Sequence, residues 1–433
     1  MTRTEFLDSI HIGHNLGNGL ECIEPVRARP YKVTVDREIT DINGYHDFRI
    51  VIQFPDGTYD YFYSYEELWS NIPVSQQWFD TLKSHGVQAV RVPINLSGHI
   101  IDNKNHTVDP NWLKRIREVV EMCITSGMIC ILTLHTDFVI MYRSGSYRSI
   151  IDTERDPSKD GVGRLMSVWK QMAEYVNDIS ADDLAFELTN EFRLLDIDSG
   201  GEGYEPSATS NEEKGTYAAR LNKYLFDTIR GVGGNAAERF LLIGAYCNDP
   251  GIGIEPVINS IINDMDDKCL LTACYYAPWQ FTVCNQHTIW EYAGEVKDAM
   301  DSYLNTLIEV RDKYNIPIVV TEYGVGANEH DMKGKDGLCI CNYIYTVMKL
   351  LSDNNFPAFV WDPGYILRRD EFNYGIPFWP EMLKGAYFNE EFNVLEIYDD
   401  YVNEINFDRL VCRTGKTLEE IQALDILPET EEV

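Results

Sequence analysis

Two glutamates stand out by where they fall. In "DLAFELTNE" (183–191) an apolar run closes on Asn190 and Glu191, and in "IPIVVTEYG" (316–324) another closes on Glu322. A carboxylate at the tip of a buried strand is an acid or base set against an apolar wall. Two such groups can be driven apart in pKa, one kept protonated by burial and by its neighbour's charge, the other ionised. Acid-assisted cleavage of a glycosidic bond needs such a pair. Other apolar runs carry groups able to support it: Arg91 in "VQAVRVPI", His135 and then Asp137 after "MICILTL", Tyr276 at the end of "CLLTACYY", and Trp361 with Asp362 in "FPAFVWD".

These positions presuppose strands. Eight apolar runs recur, near 9–15, 87–94, 128–135, 183–191, 239–245, 269–276, 316–324 and 356–362, with helical patterns between them. In 110–126 the residues Trp112, Ile116, Val119, Val120 and Cys123 share one face, with Asp109 as N-cap, Pro110 in the first turn and Gly127 as stop. Segment 75–85 repeats this grammar, with Ser75 as cap and Gly86 after it. Strands buried on both faces and alternating with helices pair in parallel, so eight units predict a closed (β/α)8 TIM barrel, one catalytic domain over 1–433. An open doubly wound sheet is the runner-up, but no Gly-x-Gly-x-x-Gly follows the first strand. Reactive groups of such a barrel sit at the C-terminal strand ends. The first connection is long, and 21–68 reads as a β-hairpin insert: "YKVTV", "FRIVIQF", the turn "PDG" and "TYDYFYS". An insert after strand one is expected to rim the active site.

Composition narrows the partners. With 433 residues, 44% of them hydrophobic and 12% aromatic, the chain can fill a sizeable core. Acidic residues outnumber basic ones 69 to 37, a net charge of -32, which argues against nucleic acid and anionic membrane but leaves a neutral substrate free to bind. No run approaches the roughly 20 apolar residues of a membrane span, and "MTRTEFLDSIHIGHN" does not read as a secretion signal, so a cytoplasmic location is expected. The ten cysteines form no Cys-x-x-Cys pair and are expected to be buried free thiols. His11 and His14 are read as structural, and neither metal nor cofactor is expected.

The stretches "HNLGNGLE", "VQAVRVPINL", "ILTLH", "FELTNE", "CYYAPWQFT", "IPIVVTEYG" and "FVWDPG" resemble, in order, the strand-end motifs of glycoside hydrolase family 5, over the first 20 residues and about 69–375. The resemblance implies that Glu191 is the general acid/base and Glu322 the nucleophile of a retaining double displacement. It implies that Arg91 keeps the nucleophile ionised, that Tyr276 bonds to it, that Asn190 grips the sugar 2-hydroxyl, that His135 is the family's strand-three histidine and that Trp361 is a floor for the sugar ring. Trp279 and Phe281 on the strand-six loop are candidate platforms, with core packing as the alternative. Phe138, Tyr142 and Arg143 are candidate borders of the site. Four positions depart from the family pattern: Thr136 and Cys274 stand where histidines are usual, Phe192 where proline is, and Pro363 where asparagine is.

The function implied is hydrolysis of β-1,4-linked gluco-configured oligo- or polysaccharides. The alternatives are an exo-acting β-glucosidase or β-mannosidase on imported oligosaccharides, with 21–68 closing the cleft, a barrel that binds sugar without cutting it, and a magnesium-dependent enzyme abstracting a proton beside a carboxylate. No lysine ends any of the eight runs to serve the last.

Overall fold

The structure, a computed structural model, describes residues 1–22, 32–36, 49–53, 59–62, 64–69, 71–135, 161–192, 210–283, 287–325, 335–407 and 417. Eight parallel strands close a barrel: β1 (Ile12–Asn15), β2 (Ala89–Ile94), β3 (Ile129–Leu134), β4 (Leu184–Glu187), β5 (Leu241–Gly244), β6 (Cys269–Tyr275), β7 (Ile318–Tyr323) and β8 (Ala358–Val360). Each falls within one of the eight apolar runs, and pairing of β8 with β1 excludes the open sheet. A principal helix follows each strand: α1 (Gln76–Ser84), α2 (Pro110–Thr125), α3 (Gly161–Tyr175), α4 (Asn211–Arg230), α5 (Ile254–Asp264), α6 (Gly294–Tyr314), α7 (Gly337–Asp353) and α8 (Trp379–Tyr387).

Local signals act as their chemistry requires. The Asp109 carboxylate accepts from Asn111 N at 2.9 Å, Pro110 occupies the first turn of α2, and Gly127 takes φ +76° just beyond its end. Ser75 does precede α1, but its hydroxyl makes no capping bond, so the expected cap is positional only. Between β1 and α1, strands Lys32–Asp36, Arg49–Gln53 and Tyr59–Phe62 pair antiparallel in that order as a separate sheet. Most of the remainder of 21–68 lies outside the described residues.

The period of two along each strand sorts the barrel into wall and lumen. Ala89, Ile129, Ile131, Ala185, Phe240, Leu242, Leu270, Val319 and Phe359 form one apolar cluster inside the strands, joined from below by Phe6 and Ile10 of the N-terminal segment. The Phe6 ring stacks on Phe240 at 4.0 Å. Alternate residues, among them Val90, Val92, Cys130, Leu132, Leu241 and Ile243, belong to the larger cluster shared with the helices. Counting on in twos from the lumen residues reaches Arg91 on β2, Thr133 and His135 on and after β3, Glu187 and Glu191 on and after β4, Thr272, Cys274 and Tyr276 on and after β6, and Trp361 after β8. The lumen is therefore apolar at the N-terminal end and polar at the C-terminal end.

Strand β7 breaks this count. Val319 is a lumen residue and Val320 a wall residue, so strict alternation would send Glu322 into the wall. The register slips by one residue between Val320 and Tyr323 against β8, and Cys274 pairs with Glu322 where Ala273 pairs with Val320. Thr321 is thus extra, a bulge that resets the parity: Glu322 turns to the lumen, and Tyr323 joins the wall.

The described cysteines are all free, with Cys22, Cys123, Cys130, Cys269, Cys274 and Cys341 buried and Cys247 and Cys339 half-buried. Among the described residues no helix is long and apolar enough to cross a membrane.

Candidate active site

The organising group at the polar end is Arg91, fully buried on β2. Its guanidinium donates in four directions: Nε to Glu187 Oε2 at 2.5 Å, Nη1 to Asn15 Oδ1 at 2.9 Å and to Glu322 Oε1 at 2.8 Å, and Nη2 to Asn190 Oδ1 at 2.7 Å. A planar fork with five N–H donors is the side chain suited to hold several oxygens in fixed positions. Asn15 is itself anchored, its amide donating to the carbonyls of Thr321, Phe359 and Val360, so β1 ties the bulge of β7 to β8.

Glu322 accepts a second bond on its other oxygen, from the Tyr276 hydroxyl at 2.9 Å, and His135 Nε2 lies 3.4 Å from Oε1. Burial alone would raise the carboxyl pKa, but the Arg91 charge and the bonds from His135 and Tyr276 outweigh it and hold the group well below the ordinary carboxylate range. At neutral pH Glu322 is ionised, with its negative charge aimed into the lumen. The same contact works in reverse on His135, where burial disfavours the imidazolium but Glu322, and more remotely Glu21, raise its pKa overall.

Glu191 follows β4 and has φ +41°, in the left-handed region that costs a non-glycine residue about 1–3 kcal/mol. The adjacent Asn190 N–H is pinned to the Leu134 carbonyl at 3.0 Å. A carboxylate oxygen of Glu191, one of Glu322 and the Cys274 sulfur all lie within 4.8 Å of one another. That spacing suits a pair of which one attacks a carbon and the other protonates the departing oxygen, since inverting pairs stand roughly 6.5–9.5 Å apart to admit water between them. Trp361 stacks on the His135 ring at 5.2 Å and 14° and is backed by Gly17, where a Cβ would sit 3.0 Å from its indole. Trp279, by contrast, is 43% exposed. It lines a groove of about 640 Å³ with Glu191, Asp249, Cys274, Tyr276 and Tyr303.

The structure thus gathers Arg91, His135, Asn190, Glu191, Cys274, Tyr276, Glu322 and Trp361 at one end of the barrel, with Trp279 on the flanking groove. Of the two readings open for Phe281, core packing holds: it is 1% exposed and packs near Trp290 and Tyr343, so it offers no platform. One expectation is corrected. Asp362 faces away from the chemistry: it accepts from His14 at 2.9 Å and from the backbone of Gly364, Ile366 and Leu367, holding the loop after β8. His14 is structural as read, and Phe192 sets its ring against Tyr246 in the core. Thr136, Asp137, Phe138, Tyr142 and Arg143 lie outside the described residues.

Three residues of the network escaped the sequence reading. Asn15 ends β1 in the quoted "HNLGN" and was open to the same strand-end logic. Glu187 sits inside an apolar strand, and an acid in that setting signals a buried partner. Asn248 gives no signal: it follows β5 with φ +49°, occupies the space that Gly244 leaves, and bonds Glu187 Oε1 at 3.2 Å.

Comparison with known proteins agrees with this geometry. The family described as "Cellulase (glycosyl hydrolase family 5)" matches residues 55–365. Endoglucanase A of Ruminococcus albus is 28% identical over 301 residues, 69% of this chain and 76% of its own length. Endoglucanase B of the same organism is 28% identical over 289 residues, 65% of this chain and 62% of its own. A family 5 lichenase from a Caldicellulosiruptor species superposes with a TM-score of 0.66 at 19% identity, covering 88% of this chain and 94% of that one, a likeness of fold. The chain spans between three fifths and four fifths of those two relatives' lengths. A pair of glutamates at the ends of β4 and β7, one held ionised by a buried arginine, and a family match across most of the chain give the same answer: the chain belongs to the cellulase family, glycosyl hydrolase family 5.

Proposed function

We propose that the chain is a retaining endo-β-1,4-glucanase that cleaves gluco-configured chains through a covalent glycosyl-enzyme. The observation that carries the reading is the placing of Glu191 and Glu322 oxygens within 4.8 Å of each other while Arg91, His135 and Tyr276 keep Glu322 ionised. Glu322 attacks the anomeric carbon as Glu191 gives its proton to the leaving oxygen. Glu191 then removes a proton from the water that releases the sugar. Asn190, fixed by Arg91, is placed to bond the 2-hydroxyl, a contact that strengthens as charge develops in the transition state. Trp361, backed by His135, is the stacking surface for the ring being cleaved.

Endo action is supported by the groove. The proton donor marks the leaving-group side, and the groove runs from Glu191 past Cys274, Tyr276 and Trp279 to Tyr303 of α6, two strands round the barrel from β8 and Trp361. Sugar therefore has a surface on both sides of the scissile bond, and the relatives are named as endoglucanases. Nothing in the geometry or the relatives favours the exo-acting alternatives, and retention of the whole Arg91–Glu322–Tyr276 set argues against a barrel that only binds. The test is chromatography of products from cello-oligosaccharides of increasing length and from mixed-linkage β-glucan. Mixed short products are expected, with the Glu322→Gln protein slower by about a thousandfold or more. Release of one terminal sugar at a time would sink the endo reading.

A further inference from the structure

Cys274 stands where the family has a histidine, and the structure shows what its sulfur faces. The residue is 7% exposed, points into the lumen, and among the described residues no hydrogen bond reaches its sulfur. Its nearest chemistry is the pair of carboxylates, each with an oxygen within 4.8 Å of the sulfur and of the other. Among the described residues this is the one group of three side chains with metal-ligand types and spacing. We propose that Glu191, Cys274 and Glu322 form a site for a soft or borderline divalent cation, of the zinc and cadmium class, and that occupation of it shuts the active site.

The ligand set selects the class. Carboxylates alone would suit magnesium or calcium, whereas a sulfur ligand shifts preference to zinc and cadmium. Ligands on a tetrahedral zinc stand roughly 3.5 Å apart, with bonds of about 2.3 Å to sulfur and 2.0–2.2 Å to oxygen, so side-chain movements of about an ångström close the set. Two protons go to solvent, one from the Cys274 thiol and one from the Glu191 carboxyl that serves as proton donor; metal–sulfur and metal–oxygen bonds form, and nothing is oxidised or reduced. Charge favours approach, since the whole chain carries -32. The groove beside Trp279 provides the path. A histidine in place of Cys274 would offer one nitrogen ligand but no thiolate. A bound cation would occupy both the group that attacks and the group that donates the proton; this inhibitory consequence rests on the glycosidase reading, while the binding itself does not.

The experiment is a cadmium titration of the full chain followed by ultraviolet thiolate-to-cadmium charge-transfer absorption, with hydrolysis of mixed-linkage β-glucan measured in parallel. One equivalent is expected to saturate a charge-transfer band, activity is expected to fall in step with it, and magnesium is expected to do neither. Cys274→Ser should lose that band. Glu322→Gln should keep the thiolate band but bind cadmium more weakly by at least the about 10–100-fold typical of disturbed metal sites. A band that survives Cys274→Ser, or cadmium affinity unchanged by Glu322→Gln, overturns the proposal. Should no glucan be cleaved, the band alone still decides the site, so failure of the glycosidase reading and failure of the metal site remain distinct.

Discussion

At the scale of single residues, Arg91 keeps the buried Glu322 carboxylate ionised, the state that the proposed nucleophile requires. Taking Glu322 out of water disfavours its charge, and the Arg91 guanidinium at 2.8 Å, His135 at 3.4 Å and the Tyr276 phenol at 2.9 Å together reverse the balance. The Tyr276 share can be isolated, because Tyr276→Phe keeps the ring and removes one donor to the ionised form. A hydrogen bond to a charged group contributes about 1.5–3 kcal/mol, so the acid limb of kcat/KM should move upward by about one to two pH units. The sign follows from the donor favouring the anion: without it Glu322 protonates at higher pH, and activity is lost earlier as pH falls. An acid limb left where it was would show that the bond contributes nothing. The strand-end residues of this site were legible because strands advertise their ends by a change from apolar to polar. Asn248 was not, since it reaches back to Glu187 from a turn after β5.

Among elements, the bulge in β7 and the contact of α4 with α5 decide geometry that no composition reports. All eight strands could be read because each is a compact apolar run between helical segments. One additional residue in such a run, Thr321, changes no pattern that the eye can count, yet a strand that ran regularly through it, with no bulge, would turn Glu322 into the wall. The glycines of the outer layer are similar. A Cβ on Gly215 of α4 would lie 1.8 Å from the Gly253 carbonyl, and Gly253 itself precedes α5 with φ +57°. Alanine gains about 1 kcal/mol of helix propensity over glycine, but backbone that must separate costs about 1–3 kcal/mol or more, and here the obstacle is backbone. Gly215→Ala should therefore destabilise by roughly 2 kcal/mol in urea melts, with turnover at low temperature retained; equal or greater stability would contradict the packing.

For the molecule as a whole, the excess of acidic residues sets which substrates approach freely. A net charge of -32 generates a negative field that salt screens with a Debye length of about 10 Å at 0.1 M. On a carboxymethylated β-1,4-glucan kcat/KM should rise as sodium chloride is added from low concentration, while on neutral mixed-linkage glucan it should stay level. Equal salt responses for the two would remove the charge argument. Closure of the barrel was legible from the number of units, because eight strand–helix pairs have few other arrangements. How 21–68 bears on the cleft was not legible, since a sheet predicted from alternation carries no information about where it docks.

Retaining cleavage requires that Glu322 form a covalent bond to the sugar. Incubating the protein with a 2-deoxy-2-fluoro cellobioside bearing an activated leaving group, and locating the label by peptide mass spectrometry, tests this. One sugar per chain is expected, on the peptide containing Glu322, with activity lost in proportion. A label on Glu191, or rapid turnover to the α anomer without any adduct, would contradict it.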